Sequence, residues 1–103
     1  MSKDVRHLVG DNVKRWREAT MPSAAELKAR QRIRNDGSAR RQRKTEWLSQ
    51  AELAARIGVD RAHVSSLETG RRNPTILTLW HVAQALGIDI SKFFESTPRS
   101  RRW

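Results

Sequence analysis

Residues 48–70 read LSQAELAARIGVDRAHVSSLETG, and this stretch decides the fold. Ser49 followed three residues later by Glu52 is a capping box, in which each side chain can satisfy a backbone N–H left over at the start of a helix. A helix therefore begins at Ser49. Leu53, Ala54 and Ile57 give it one apolar face, and Gly58 stands just past its end, where glycine takes positive φ without strain. Asp60 is a second N-cap. In the helix that follows, Val64 and Leu67 are the only large apolar residues, three apart on one side, and the helix ends before Gly70. Two helices joined by so short a turn must cross steeply.

On the carboxyl side, RRNP at 71–74 is a polar, basic connection whose Pro74 forbids continuation of the preceding helix. Thr75 caps a further helix in which Ile76, Leu79, Val82, Ala83 and Leu86 recur at three- and four-residue steps before Gly87 stops it. Asp89 caps a last short helix, ISKFF, with Phe93 expected in the core. Residues 96–103 form a basic tail.

On the amino side, HLVGDNVKRWREA at 7–19 reads as the first helix. Val9, Val13 and Trp16 form its core-facing stripe with Leu8 alongside, while Asp11, Asn12, Lys14, Arg15 and Glu18 lie on other faces. Pro22 interrupts the pattern. Residues 20–47 then hold eight bases and three acids, half of the chain's net charge. Ser23 with Glu26 is another capping box, predicting a helix over 24–34, with Leu27 and Ile33 too thin a face for firm apolar packing. Asn35, Asp36 and Gly37 are a turn signal, and SARRQRKTEW after it contributes one large apolar residue, Trp47. The segment is expected to form a basic helical hairpin or a partly disordered arm.

Composition bounds the functions. With 103 residues and 37% hydrophobic content the chain is expected to be one domain with a modest core and no separate sensor. Twenty-one Lys and Arg against 11 Asp and Glu give a net charge of +10, which points to a polyanionic partner, nucleic acid before an anionic membrane. No apolar run is long enough to span a bilayer and no secretory h-region is visible, so a cytoplasmic protein without a membrane partner is expected. The absence of cysteine fits a reducing compartment and excludes thiol catalysis and the usual structural zinc sites. His7, His63 and His81 lack metal-ligand spacing. No nucleophile, metal or paired-carboxylate constellation appears, so neither enzymatic activity nor a cofactor is expected.

The order of elements resembles the helix-turn-helix domains of the lambda repressor and Cro type, also known as the xenobiotic-response-element family. The resemblance rests on Leu48-Ser49-Gln50, Leu53-Ala54, Gly58-Val59, Val64, Leu67-Glu68, Gly70, Arg72-Asn73-Pro74, Leu79 and Ala85-Leu86-Gly87, and covers 8–19 and 48–94. It implies an all-α, compact five-helix domain whose third helix enters the DNA major groove. The chain departs from the family in the middle, where about two residues normally join the first two helices and this sequence inserts roughly twenty-six. A register using 38–47 as the first helix removes the insertion but sets Asn35, Ala39 and Gln42 where Val9, Val13 and Trp16 supply apolar contacts.

In the major groove, side chains from a helix's amino-terminal end read donor and acceptor patterns on base edges. Arg61, Ala62, Ser65 and Ser66 are the candidates for base contact. Arg61 can donate a bidentate pair to guanine O6 and N7, and Ala62 can touch a thymine methyl. Candidates for phosphate contact are Gln50, His63, Thr69, Arg71, Arg72 and Asn73. The family's phosphate contact that braces the recognition helix falls on Gln50, and its acid–arginine pair on Glu68 and Arg17. Arg40, Arg41, Arg43 and Lys44 are candidates for an arm along the phosphate backbone or in the minor groove. The expected function is sequence-specific regulation of transcription by a dimeric repressor at a short near-palindromic operator on double-stranded DNA. Phage regulator, restriction-modification controller and toxin–antitoxin repressor are not separable at this level. The alternative is an antitoxin or interaction module that binds a partner protein and autoregulates its operon.

Overall fold

A computed structural model of the chain describes residues 4–35 and 46–96. Its elements are α1 (Val5–Arg17), α2 (Ala24–Asn35), α3 (Gln50–Ile57), α4 (Arg61–Glu68), α5 (Ile76–Leu86) and a 3₁₀ helix (Ile90–Phe94). Among the described residues there is no strand. The architecture is all-α and lambda-repressor-like, and α2 lies in the segment between the family's first and second helices.

Local chemistry sets the boundaries. Ser49 Oγ accepts from the Glu52 amide at 3.0 Å while Glu52 Oε1 accepts from the Ser49 amide at 2.9 Å, so the capping box at α3 is complete. Asp60 caps α4 through the His63 amide and Thr75 caps α5 through the Thr78 amide. The first helix is displaced from the expected 7–19. Asp4, its cap, accepts from the Arg6 amide at 2.8 Å and starts the helix two residues early, and Glu18 closes it behind Arg17. The stripe of Val9, Val13 and Trp16 is satisfied by either start; the Asp4 carboxylate chooses between them. The last helix is 3₁₀ rather than α, five residues closed by the Asp89 cap.

Val9 and Val13 from α1, Leu48 and Leu53 around α3, Val64 and Leu67 from α4, Leu79 and Val82 from α5, and Phe93 form one core. Two sequence expectations change here. Ile76, counted in the apolar repeat of α5, is 69% exposed in the first turn of that helix. Asn12, assigned to an outer face, is fully buried: its Nδ2 donates to the carbonyls of Phe93 and Glu95, each at 2.8 Å, and ties α1 to the 3₁₀ helix. Gly10 faces α4 so closely that a Cβ there would lie 2.5 Å from the Leu67 carbonyl oxygen. The lack of a side chain lets the two helix backbones touch.

The chain leaves this body after α1 and returns before α3 at nearly the same point. The Leu48 amide donates to the Thr20 carbonyl at 2.8 Å, closing the neck of the excursion. Inside it, α2 buries no apolar side chain, with Leu27 and Ile33 both exposed. Two arginine–carboxylate forks attach it instead. Arg30 of α2 donates through Nε and Nη2 to Glu52 of α3, both at 2.7 Å, and Arg56 of α3 donates to Glu26 of α2 at 2.7 and 2.6 Å. The carboxylates are Glu52, one half of the α3 capping box, and Glu26, which with Ser23 caps α2. In the expected hairpin's second arm, Arg40, Arg41, Arg43 and Lys44 lie outside the described residues, as does the alternative first helix at 38–47 apart from residues 46 and 47, which are not helical.

Candidate nucleic-acid interface

The buried side of α4 carries Val64, Leu67 and Glu68, and its opposite side carries Arg61, Ala62, Ser65 and Ser66. Arg61 and Ala62 are exposed at the amino end, and Ser65 and Ser66 are half-buried along the helix. All four base-contact candidates therefore share one side of one helix, the arrangement a groove-reading helix needs.

The carboxyl end of α4 is fixed from beneath. Glu68 is 6% and Arg17 is 5% exposed, and the guanidinium grips the carboxylate through Nε at 2.6 Å and Nη2 at 2.9 Å. Arg17 Nη1 also donates to the Leu48 carbonyl at 3.0 Å, and Gln50 Nε2 donates to Glu68 Oε1 at 2.9 Å. One buried charge pair thus holds α1, the start of α3 and the end of α4 in a fixed relation. Charge-assisted forks of this kind are short and directional, which sets an angle as well as an energy. Gln50 is committed through Nε2 to this network at the amino end of α3.

After Thr69 the chain turns sharply. Gly70 adopts φ +77°, and the Arg71 amide returns to the Ser66 carbonyl at 3.0 Å, a Schellman closure. The His7 ring of α1 packs against Gly70, where a Cβ would meet Cδ2 at 2.7 Å, so this position is closed to larger residues on two counts. The turn delivers Arg71, Arg72 and Asn73 to the surface, all exposed. Thr69 spends its hydroxyl proton on the Ser65 and Ser66 carbonyls at 3.1 and 3.2 Å. His63 is half-buried, and its Nε2 is shielded from water without a hydrogen-bond partner, which suits packing better than phosphate contact.

Residues overlooked in the sequence are Gly10, Asn12, Arg30 and Arg56. The first two position α1 against α4 and the 3₁₀ helix; the other two hold α2. One signal for the latter pair was present. Glu26 and Arg30 are four apart, as are Glu52 and Arg56, so antiparallel helices can exchange partners across the interface. The acids titrate accordingly. The fork from Arg56, backed by the Ser23 amide, holds Glu26 down to about 2. At Glu52 burial pulls upward, but the Arg30 fork and the Ser49 amide outweigh it and leave the carboxyl below its ordinary value. Among the described residues no three His, Asp or Glu side chains cluster to hold a metal, and no helix is long and apolar enough to cross a membrane.

Two short helices joined by a tight turn, the second braced from beneath by a buried ion pair and carrying polar side chains on its open side, define a helix-turn-helix unit. The chain belongs to the helix-turn-helix family, whose profile matches residues 40–93, more than half of the sequence. An uncharacterized HTH-type transcriptional regulator of Sinorhizobium fredii is 52% identical over 48 residues, which are 47% of this chain and 62% of that protein. This chain thus spans less than two thirds of that regulator's length. Control protein C.MunI of a Mycoplasma species is 43% identical over 54 residues, 52% of this chain and 72% of that protein. The crystal structure of a hypothetical transcription factor, NHTF, from Neisseria superposes with a TM-score of 0.58 at 24% identity, over 96% of this chain and 83% of that one, a likeness of fold alone. The family match begins at residue 40, inside the excursion, whereas the helix packed on α4 is the upstream Val5–Arg17.

Proposed function

We propose that this protein is a sequence-specific double-stranded DNA-binding regulator of transcription that occupies a short near-palindromic operator as a homodimer and represses by excluding polymerase. The observation that carries the reading is the pairing of an open α4 face, Arg61, Ala62, Ser65 and Ser66, with a buried Arg17–Glu68–Gln50 network beneath its far end. The face offers groups that can discriminate bases, and the network holds them at one angle. Arg71, Arg72 and Asn73 supply the salt-dependent, sequence-independent part of the affinity. The name of the relative C.MunI, a control protein, is in keeping with such a role.

A dimer suits the same geometry. Ile76, Leu77 and Trp80 are exposed apolar residues of α5, and Ile76 lines, with Phe94 and with Val5 at the start of α1, a shallow cavity of about 250 Å³. A second copy seated there would present two α4 helices to one side of the DNA, and an isologous contact of this kind produces the two-fold symmetry of a palindromic site. Selection of bound duplexes from a random pool tests the reading. A recovered inverted repeat is the expected result, and a pool that stays random after repeated rounds would exclude sequence-specific recognition.

A further inference from the structure

The attachment of α2 gives it a direction. Glu26 meets Arg56 and Arg30 meets Glu52, so the two helices run antiparallel and α2 advances toward the amino end of α3 as its own chain proceeds. Arg30 Nη2 also donates to the Trp47 carbonyl at 2.8 Å, and at the other end Arg56 Nη1 donates to the Ala85 carbonyl at 2.6 Å. Each arginine of the forks thus reaches a backbone carbonyl as well as a carboxylate, and α2 is held at two points one turn apart, Glu26 and Arg30. The Arg30 side chain is thereby tied to residue 47, two positions before the α3 cap Ser49.

The same pairing determines α2's charge. Its one acid, Glu26, is consumed by Arg56, and Arg30 is consumed by Glu52. Lys28 and Arg32 are exposed and form no ion pair among the described residues. What α2 turns outward is positive charge, on a helix already tied to α3, with Arg32 two residues beyond the second fork. A preordered cation loses less freedom on meeting a phosphate than one on a loose chain.

We propose that α2 is a second DNA-backbone contact element, clipped to α3 so that Arg32 and, one turn back, Lys28 meet phosphates outside those contacted by α3 and α4. The proposal rests on the DNA-binding reading above. Its partner is the phosphate backbone of the flanking duplex, and its effect is to lengthen the footprint without reading sequence.

The test measures affinity against salt for the full chain on two duplexes, the selected operator with long flanks and the same operator trimmed to its core. On the long duplex, combined Lys28→Ala and Arg32→Ala should lower the slope of log affinity against log salt by roughly 0.9 for each phosphate the variant leaves unneutralised. The same variant should match the unsubstituted protein on the trimmed duplex. An unchanged slope on the long duplex, with Arg71→Ala and Arg72→Ala lowering it on both, overturns the role of α2 and leaves the DNA reading intact. A chain with no measurable affinity for either duplex at low salt fails the DNA-binding reading itself and this proposal with it. Thermal melts check folding, which substitutions at two exposed, unpaired side chains should leave unaltered.

Discussion

Glu68 illustrates how a buried residue can fix the placement of an exposed helix face without belonging to it. Its carboxylate accepts from Arg17 twice and from Gln50 once inside a nearly dry space. Removing one member of a buried pair strands the other charge, at a cost of ~3–5 kcal/mol. Glu68→Ala should therefore lower stability in urea by that amount, before any change in sequence preference; a variant with ordinary stability and altered preference would instead make Glu68 a specificity residue. Gly10→Ala works by crowding. Alanine favours a helix by about 1 kcal/mol over glycine, yet its Cβ would lie 2.5 and 2.7 Å from the Leu67 and Glu68 carbonyl oxygens. The crowding should win, with a net loss on the order of 1–3 kcal/mol in the same titration. Arg61 is open to solvent at the amino end of α4, so Arg61→Ala should leave stability unchanged and cost ~1–3 kcal/mol at a single base position, read by competition among operator variants. Uniform weakening on every sequence would reassign Arg61 to the phosphates.

At the scale of elements, α2 is held by charge where α1, α3, α4 and α5 are held by apolar contact, and the two kinds of attachment respond differently to acid. The carboxyls of Glu26 and Glu52 lie below their ordinary range when α2 is docked. A depressed carboxyl contributes stability above its unfolded pKa and loses it as pH falls through the folded value. Docking of α2 should accordingly be complete above about pH 4.5 and weaken between there and about pH 2, the value for Glu26. Amide hydrogen exchange along 24–35 should rise in that window ahead of exchange in α4, and Glu26→Gln should move the rise to higher pH. Simultaneous loss of protection in α2 and α4 would show that α2 is not separately attached. This division also explains what could be read in advance. Caps at Ser49, Asp60, Thr75 and Asp89 involve partners within three residues, so sequence suffices for them. The Asn12 clamp joins residues more than eighty positions apart, and a polar side chain in an amphipathic pattern looks the same whether it meets water or a buried carbonyl. The Arg17–Glu68 pairing came with the family resemblance, since nothing local links residues fifty-one apart.

For the whole molecule, the exposed strip of Ile76, Leu77 and Trp80 is the feature that a solitary chain would least favour. A charge placed in it, as in Leu77→Glu, should convert a dimer to a monomer in sedimentation while the melting profile of the monomer remains cooperative. Operator binding should then become weak and the half-sites occupied independently. A variant that sediments as the unsubstituted protein does would remove this strip from the interface.

The neck between Thr20 and Leu48 has a consequence for what the molecule can carry. Chain exit and re-entry share one hydrogen bond, so apart from the two forks that dock α2 the body requires only that its two ends meet, and a tether's closing entropy grows merely with the logarithm of its length, ~0.6 kcal/mol per doubling. The position is therefore a port: segments of quite different size could be spliced there without disturbing the angle of the reading helix. A chain in which Thr20 is joined to Leu48 through a two-residue link should still fold, giving the bare reading head, and foreign domains inserted at the same point should be borne as cargo.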